Sequence, residues 1–501
     1  MVKILCSWRS FLEVFMLYHS TRSPEPRVDS AQAVLEGLAP DGGLFVPETI
    51  PYININTCLG ESTMEMATRI ISAMLPEIQD MPVLVERAYR GKFQTEELTP
   101  TVKAGDFTVL ELFRGPTSAF KDVALCMLPQ LLTKAREQKG MTDEVLILTA
   151  TSGDTGKAAL AGFADVPGVG ICVFYPDGGV SAVQRAQMVT QEGSNVAVCA
   201  VRGNFDDAQT GVKNLFAAAE NGKLTGDSRS LSTANSINIG RLAPQITYYF
   251  KAYSDLLRRG EIQMGDKVNF SVPTGNFGDI LAGYLAKRLG LPVGTLICAS
   301  NANNVLTDFI RTGTYDRRRP LHKTISPSMD ILVSSNLERL LYFISDGDTA
   351  LVAQLMQKLN TEGHYQVPEE LLTKIQAEFW AGCCDDEKAT ATIKSAWEKT
   401  GYLCDPHTAA GWAVAEEYRE ATGDMRPMVV LSTASPYKFP GAVLKALAEP
   451  ESADEFAQME QLSKLTGVPV PENLSGLQEK VERHTDVIEK DQMLAYVKEK
   501  K

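Results

Sequence analysis

Cysteine is sparse and badly placed for metal or disulfide chemistry. Nine cysteines occur in 501 residues, none of them in a Cys-x-x-Cys pair. The adjacent Cys383 and Cys384 suit neither a metal site nor an easy disulfide. Thiols scattered in this way fit a reducing, cytoplasmic location, where they act as small core residues. No metal is expected. Long apolar runs are missing as well: none approaches the ~20 residues needed to cross a bilayer, so no membrane span is expected. Basic charge is also short, since 49 Lys and Arg face 62 Asp and Glu and leave a formal net charge of −13. That balance favours solubility and disfavours binding to a phosphate backbone. Nucleic acid is therefore not an expected partner, and the basic run Arg317, Arg318, Arg319 reads as a solvated loop. What remains is an ordinary globular balance, 44% hydrophobic and 22% charged, which excludes disorder as the main state. The length implies two or three domains.

Residues 1–15 read as a leader without function, with Met16 as the natural start. Ser7, Arg9, Ser10 and Glu13 interrupt the apolar stretch that a signal peptide requires. Residues 16–100 read as a small mixed N-terminal domain. It contains the turn Pro40-Asp41-Gly42-Gly43, which leads into Leu44-Phe45-Val46-Pro47. From 101 to about 448 apolar strands alternate with helices. Strands are predicted at Val145–Ala150, Val169–Tyr175, Asn195–Val201, Lys267–Val272, Val293–Ala299 and Met428–Ser432. Helices are predicted at Lys157–Ala164, Ser181–Gln191, Asp206–Glu220 and Asp279–Leu289. Such alternation implies an α/β fold, a parallel sheet with helices on both faces. Within it, about 305–403 reads as an inserted helical region. Residues 449–501 read as a charged helical appendage on the surface.

Four segments lie where a predicted strand or loop gives way to a helix, the edge at which parallel sheets bind ligands. In Phe113–Asp122, Lys121 opens an apolar helix after a small-residue loop. It is either a solvent-facing lysine or one whose amine forms a Schiff base in a partly desolvated setting. In Thr149–Lys157, clustered backbone N–H groups and hydroxyls at a helix N-terminus make either an anion cradle or a bare capping turn. A nucleotide P-loop fails there on spacing, because Ala158 follows Lys157 where Ser or Thr is required, which disfavours a kinase. In Val272–Asp279, the glycines let backbone approach a phosphate at a helix N-terminus, or simply form a strand–helix turn. Thr433, after the last strand, either offers its hydroxyl to a buried ligand or satisfies the strand end.

Together these segments closely resemble the threonine synthase family. It lies within the β-family of pyridoxal 5′-phosphate (PLP) enzymes, fold type II, which have mostly parallel sheets flanked by helices. The resemblance runs from Met16 to about Leu447. It is carried by Tyr18-His-Ser-Thr-Arg22, Gly43-Leu-Phe-Val-Pro47, Ala119-Phe-Lys-Asp122, Thr149-Ala-Thr-Ser-Gly-Asp-Thr-Gly156, Asn235-Ser-Ile-Asn238 and Pro273-Thr-Gly-Asn-Phe-Gly-Asp279.

The resemblance implies PLP as cofactor, with Lys121 as its Schiff-base lysine and the catalytic residue. Gly275, Asn276, Phe277 and Gly278 would cradle the cofactor phosphate, and Thr433 would face the pyridine nitrogen. The loop holding Thr151, Ser152, Gly153, Asp154 and Thr155 would receive the substrate α-carboxylate. Most β-family relatives have Asn where this chain has Asp154, whereas threonine synthases commonly have Asp. Ser236, Asn238 and Arg241 are expected at the substrate phosphate, with Lys438 as a further candidate. His407 is given no catalytic role. The implied reaction is that of a PLP-dependent carbon–oxygen lyase acting on phosphates. It converts O-phospho-L-homoserine and water to L-threonine and phosphate, the last step of threonine biosynthesis, with Lys121 moving the α-proton. The same scaffold also serves PLP-dependent phospholyases and threonine/serine dehydratases. A monomer or homodimer is expected.

Overall fold

The computed structural model describes residues 16–219, 222–224 and 228–500. Residues 1–15, with the leader reading, lie outside the described residues. The N-terminal part opens with β1 (Leu17–Ser20), β2 (Ser23–Asp29) and β3 (Phe45–Pro47), paired antiparallel in the order β2-β1-β3. The Asp41-Gly42-Gly43 turn sets the approach to β3. Asp41 Oδ1 accepts from Ser20 Oγ at 2.7 Å and from the Gly43 N–H at 2.8 Å, while Gly42 takes φ 77°, which glycine adopts without a Cβ clash. The edge strand β2 carries Pro24 and Pro26, whose missing N–H groups suit an unpaired edge.

Beyond it lie β4 (Thr101–Ala104), β5 (Phe107–Glu111), β6 (Val145–Ala150), β7 (Val169–Pro176), β8 (Val196–Arg202), β9 (Ser230–Ser232), β10 (Val268–Pro273) and β11 (Val293–Ser300). They are followed by β12 (Thr314–Asp316), β13 (His364–Gln366), β14 (Phe379–Cys383), β15 (Met428–Ser432) and β16 (Asp486–Glu489). Two sheets result. One has the order β14-β11-β10-β15-β5-β4, parallel except for the β4–β5 pair, and the other has the order β16-β8-β7-β6-β9, parallel throughout. Strands buried on both faces explain the near-continuous apolar runs: all of β7 and β15 is buried. The carboxyl ends of β5, β6, β10 and β15 lead into the four segments singled out from the sequence, so the topology gathers them between the sheets.

Three expectations need adjusting. The helix predicted from Lys157 begins at Asp154, immediately after Gly153. The region about 305–403 is not helical throughout: β14 extends the six-stranded sheet beside β11, and β12 pairs with β13. Five and three residues are too short for a periodic pattern to stand out. The tail is more than a surface appendage, because β16 extends the second sheet beside β8. Met493, Tyr496 and Val497 then pack into a core with Phe174 and Val201.

Candidate active site

Lys121 is held by its neighbours' backbone. Asp122 accepts from the Thr117 N–H at 2.9 Å and from the Thr117 hydroxyl, closing the preceding loop. The Phe120 N–H donates to the Thr433 carbonyl at 2.8 Å and the Ser435 N–H to the Ser118 carbonyl at 3.1 Å, lacing that loop to the end of β15. The lysine is only 8% exposed. Its Nζ sits 4.5 Å above the Phe120 ring and 3.8 Å from Asp154 Oδ2. Burial, aided by the Arg241 and Lys438 charges and opposed by Asp154 and Asp279, pulls its pKa down to about 8. An amine in that range can lose its proton near neutrality, which imine chemistry and proton transfer both need.

The loop after β6 is built around Thr151, whose hydroxyl accepts from the N–H groups of Gly153 at 3.0 Å and Gly156 at 2.8 Å. Gly153 takes φ 132°, and a Cβ there would collide with the Gln184 carboxamide. Thr151 thus shapes the cradle, and Ser152 and Thr155 are half-buried beside it. Asp154 is fully enclosed. Lys438 Nζ lies 2.6 Å from its Oδ1, Gln184 Nε2 donates to the same oxygen at 3.0 Å, and Ser328 Oγ donates to Oδ2 at 3.5 Å. Burial alone would raise the Asp154 pKa, yet Lys438 and then Lys121 hold it well below the usual carboxylate range. Asp154 and Lys438, both expected at substrate, are paired with each other, and Lys438 gives a further hydrogen bond to the Thr117 carbonyl at 3.1 Å.

The loop after β10 meets the test for a phosphate cradle. A Cβ on Gly275 would lie 2.6 Å from the Ser328 carbonyl oxygen, so only glycine fits. Phe277 adopts φ 63° and is buried, and the helix Gly278–Arg288 starts immediately after it. The N–H groups of a helix's first turn have no intrahelical acceptor and carry the positive end of its dipole. Ser334 Oγ donates to the Gly275 carbonyl at 2.8 Å, and the Asn336 N–H donates to the Asn276 carbonyl at 3.0 Å, fixing the loop's carbonyls away from that role. Asn276 itself is exposed. Asp279, in the first turn, is buried, and its pKa is pushed up to about 7 by that burial, with Lys121 opposing. Thr433 lies at the other end of the site, nearly buried, where β15 ends.

Arg241 is a buried guanidinium without a buried anion. Its Nη1 donates to the Ala234 carbonyl at 2.6 Å, while Nε meets no acceptor among the described residues. Burial pulls its pKa down to about 10, still charged at neutrality, and no carboxylate among the described residues offsets it. Such a group leaves an unmet demand for an anionic ligand. Ser236 is half-buried, its hydroxyl 3.5 Å from that of Ser335. Asn238 is engaged within the protein. Its carboxamide donates to the Val34 carbonyl and accepts from the Gly240 N–H, each at 2.9 Å, so it caps the short helix carrying Arg241 and ties it to the N-terminal part of the chain.

Sequence reasoning missed two clamps. Arg339, fully buried, donates to the carbonyls of Phe45 and Ile237 and to Asn336 Oδ1. Glu338 beside it takes Arg22 through two 2.8 Å bonds and Thr21 through one of 2.5 Å. The opening Thr21-Arg22 was the one available signal, since its partner lies 316 residues further on.

A buried lysine of lowered pKa, a glycine-lined helix N-terminus for a phosphate and a buried threonine at the end of β15 fit pyridoxal phosphate. A family model described as pyridoxal-phosphate dependent enzyme matches residues 93–434, and the chain is an enzyme of that cofactor class with fold type II. Models described as threonine synthase N terminus and threonine synthase, C-terminal match residues 17–89 and 408–497. The threonine synthase of Pseudomonas aeruginosa is 41% identical over 441 residues, which cover 86% of this chain and 90% of that one. The crystal structure of PLP-bound threonine synthase from Brucella melitensis superposes with a TM-score of 0.86 at 39% identity, covering 97% and 99% of the two chains. Human threonine synthase-like 1 is 39% identical over 83% of this chain, which spans only 58% of that longer protein. This chain belongs to the threonine synthase family.

Proposed function

We propose that this enzyme converts O-phospho-L-homoserine and water to L-threonine and phosphate. The observation that supports this reading best is Arg241, a buried cation with, among the described residues, no acceptor at Nε and no carboxylate partner, and with its charge felt at Lys121. A phosphorylated substrate meets that demand; threonine or serine does not. In this reading Lys121 carries the cofactor, Gly275 to Gly278 hold its phosphate through backbone N–H groups, and Thr433 faces the ring nitrogen without protonating it. The Thr151–Thr155 loop presents backbone N–H groups to the substrate α-carboxylate, and Ser236 and Arg241 hold the substrate phosphate. Once bound, PLP supplies the electron sink for charge developing at Cα. Lys121 Nζ would remove the Cα proton and later return one. Its pKa near 8 suits both directions of transfer. The enclosed walls around Lys121 keep bulk water from the reacting carbon.

The same reading includes a monomer or homodimer in the cytoplasm. The eight cysteines among the described residues are all free thiols, and no helix among those residues is long and apolar enough to cross a membrane. The deciding experiment incubates the PLP-loaded protein with O-phospho-L-homoserine and measures amino acids, keto acids and phosphate. Threonine and phosphate in equal amounts are expected. 2-Oxobutyrate with phosphate would assign a phospholyase instead, and turnover of threonine or serine alone would assign a dehydratase.

A further inference from the structure

Two buried lysines converge on one carboxylate. Asp154, 3% exposed, holds Lys438 at 2.6 Å through Oδ1 and lies 3.8 Å from Lys121 through Oδ2; Lys438 has no exposure at all. The remaining contacts of the trio are uncharged: Gln184 and Ser328 on Asp154, and the Thr117 carbonyl on Lys438. Within ion-pair distance, one carboxylate therefore serves both enclosed ammonium groups. Enclosed charges need close, well-directed partners to stay ionised. The ammonium at 2.6 Å has one, whereas the ammonium at 3.8 Å is beyond hydrogen-bonding distance. The other charged groups do not even this out. Arg241 opposes a charge on Lys121 and Asp279 favours it, while Lys438 acts in turn on Asp122 and Lys157.

We propose that Lys438 is a positioning residue: by claiming Asp154 it leaves Lys121 as the amine that gives up its proton, and the charges at 154 and 438 work only as a pair. This rests on Lys121 being the cofactor lysine. With Lys438 removed, Asp154 turns wholly to Lys121 and favours its ammonium form, which cannot attack an aldehyde. With Asp154 removed, both enclosed cations lose their nearest anion, leaving Lys121 only the longer-range pull of Asp279 and Lys438 that of Asp122.

The test uses four full-length proteins: wild type, Asp154→Asn, Lys438→Met and the double variant. Each is stripped of cofactor and melted at pH 7, then titrated with PLP across pH while the visible absorption band reports uptake. Both single variants should melt below wild type, and the double variant should melt above both. In Lys438→Met the pH midpoint for uptake should rise by about one unit or more, the direction expected when an opposite charge gains an amine. A double variant melting at or below the weaker single variant overturns the pairing. An unchanged or lowered midpoint in Lys438→Met overturns the effect on Lys121. If Lys438→Met does not fold, folding of the double variant is itself the rescue, and failure of both overturns the proposal. Neither readout needs turnover, so a chain that makes no threonine yet shows this pattern loses the proposed reaction while the pairing stands.

Discussion

The backbone N–H of Ser328 donates to Nε2 of His407 across 3.2 Å, which fixes the ring's tautomer. With Nε2 accepting, Nδ1 carries the proton and donates to Asp405 Oδ2 at 2.6 Å. Asp405 in turn caps the helix Pro406–Thr422. The Ser328 residue held in this way faces two loops at once, its carbonyl against Gly275 and its hydroxyl toward Asp154. His407 thereby sets the spacing between the two anion loops through Ser328.

His407→Ala should leave the fold intact and weaken PLP binding by about tenfold, since a lost buried hydrogen bond costs roughly 1–3 kcal/mol. His407→Gln keeps an acceptor and should recover part of the loss. Equilibrium dialysis of PLP against the three proteins measures this; equal affinities would show that the turn at Ser328 is held by something else.

Lys121→Met should abolish turnover and borohydride-fixed labelling by PLP, and should also stabilise the cofactor-free chain at pH 7. The Lys121 pKa falls to about 8 on folding from an ordinary value of 10.5. Between those values the unfolded chain binds more protons, so the cost of enclosing this lysine is full below pH 8 and fades as pH rises toward 10.5. At pH 7 that cost is roughly 3 kcal/mol by the usual conversion. Melting curves of wild type and Lys121→Met should therefore differ most below pH 8 and converge above pH 10. Parallel curves across that range would mean that the lysine is not desolvated.

Much of this site was legible because its chemistry is local. Glycines at 153 and 275, and Lys121 after a small-residue loop, lie in contiguous strings, and the two glycines sit where a Cβ would collide. What escaped depends on long-range partners. The hydrogen bond of Asn238 to the Val34 carbonyl, 204 residues away, has no local signal. Lys438 looks free until Asp154 is brought beside it, and Arg339 carries no local signal. In the fold, the long apolar strands stood out, whereas β14 and β16 did not. β16 alternates half-buried with exposed residues, so its pairing is set by the sheet edge it meets rather than by its own pattern.

Arg241→Ala should raise KM for O-phospho-L-homoserine by about 100-fold, in line with the roughly 1.5–3 kcal/mol of a charge-assisted hydrogen bond. PLP affinity should hold within about threefold, well under the 1.4 kcal/mol of a tenfold change. Arg241→Lys keeps charge but loses the planar fork and should fall between them. Steady-state kinetics beside PLP titration separates the two. An equal loss of PLP affinity would move Arg241 from the substrate's phosphate to the cofactor's.

Asp279 gives the last prediction, and its sign is opposite to that of a paired surface carboxylate. Its pKa rises on folding from 3.8 to about 7, because burial outweighs the Ile280 N–H bond at 2.8 Å and the attraction of Lys121. Between those values the folded chain binds more protons, so the residue's contribution to stability is complete below pH 3.8 and is lost as pH rises to 7. Above pH 7 the folded chain carries an enclosed carboxylate at the N-terminal turn whose N–H groups are proposed to hold a phosphate. Asp279→Asn keeps the shape and removes that charge. It should stabilise the cofactor-free protein by up to roughly 4 kcal/mol at pH 8, the conversion of a shift of this size, and change little near pH 4. It should also tighten PLP binding, by relieving repulsion between like charges. Urea melts at pH 4 and pH 8, with and without PLP, read both effects. Destabilisation at pH 8 would show that the carboxylate has a cationic partner strong enough to outweigh its burial.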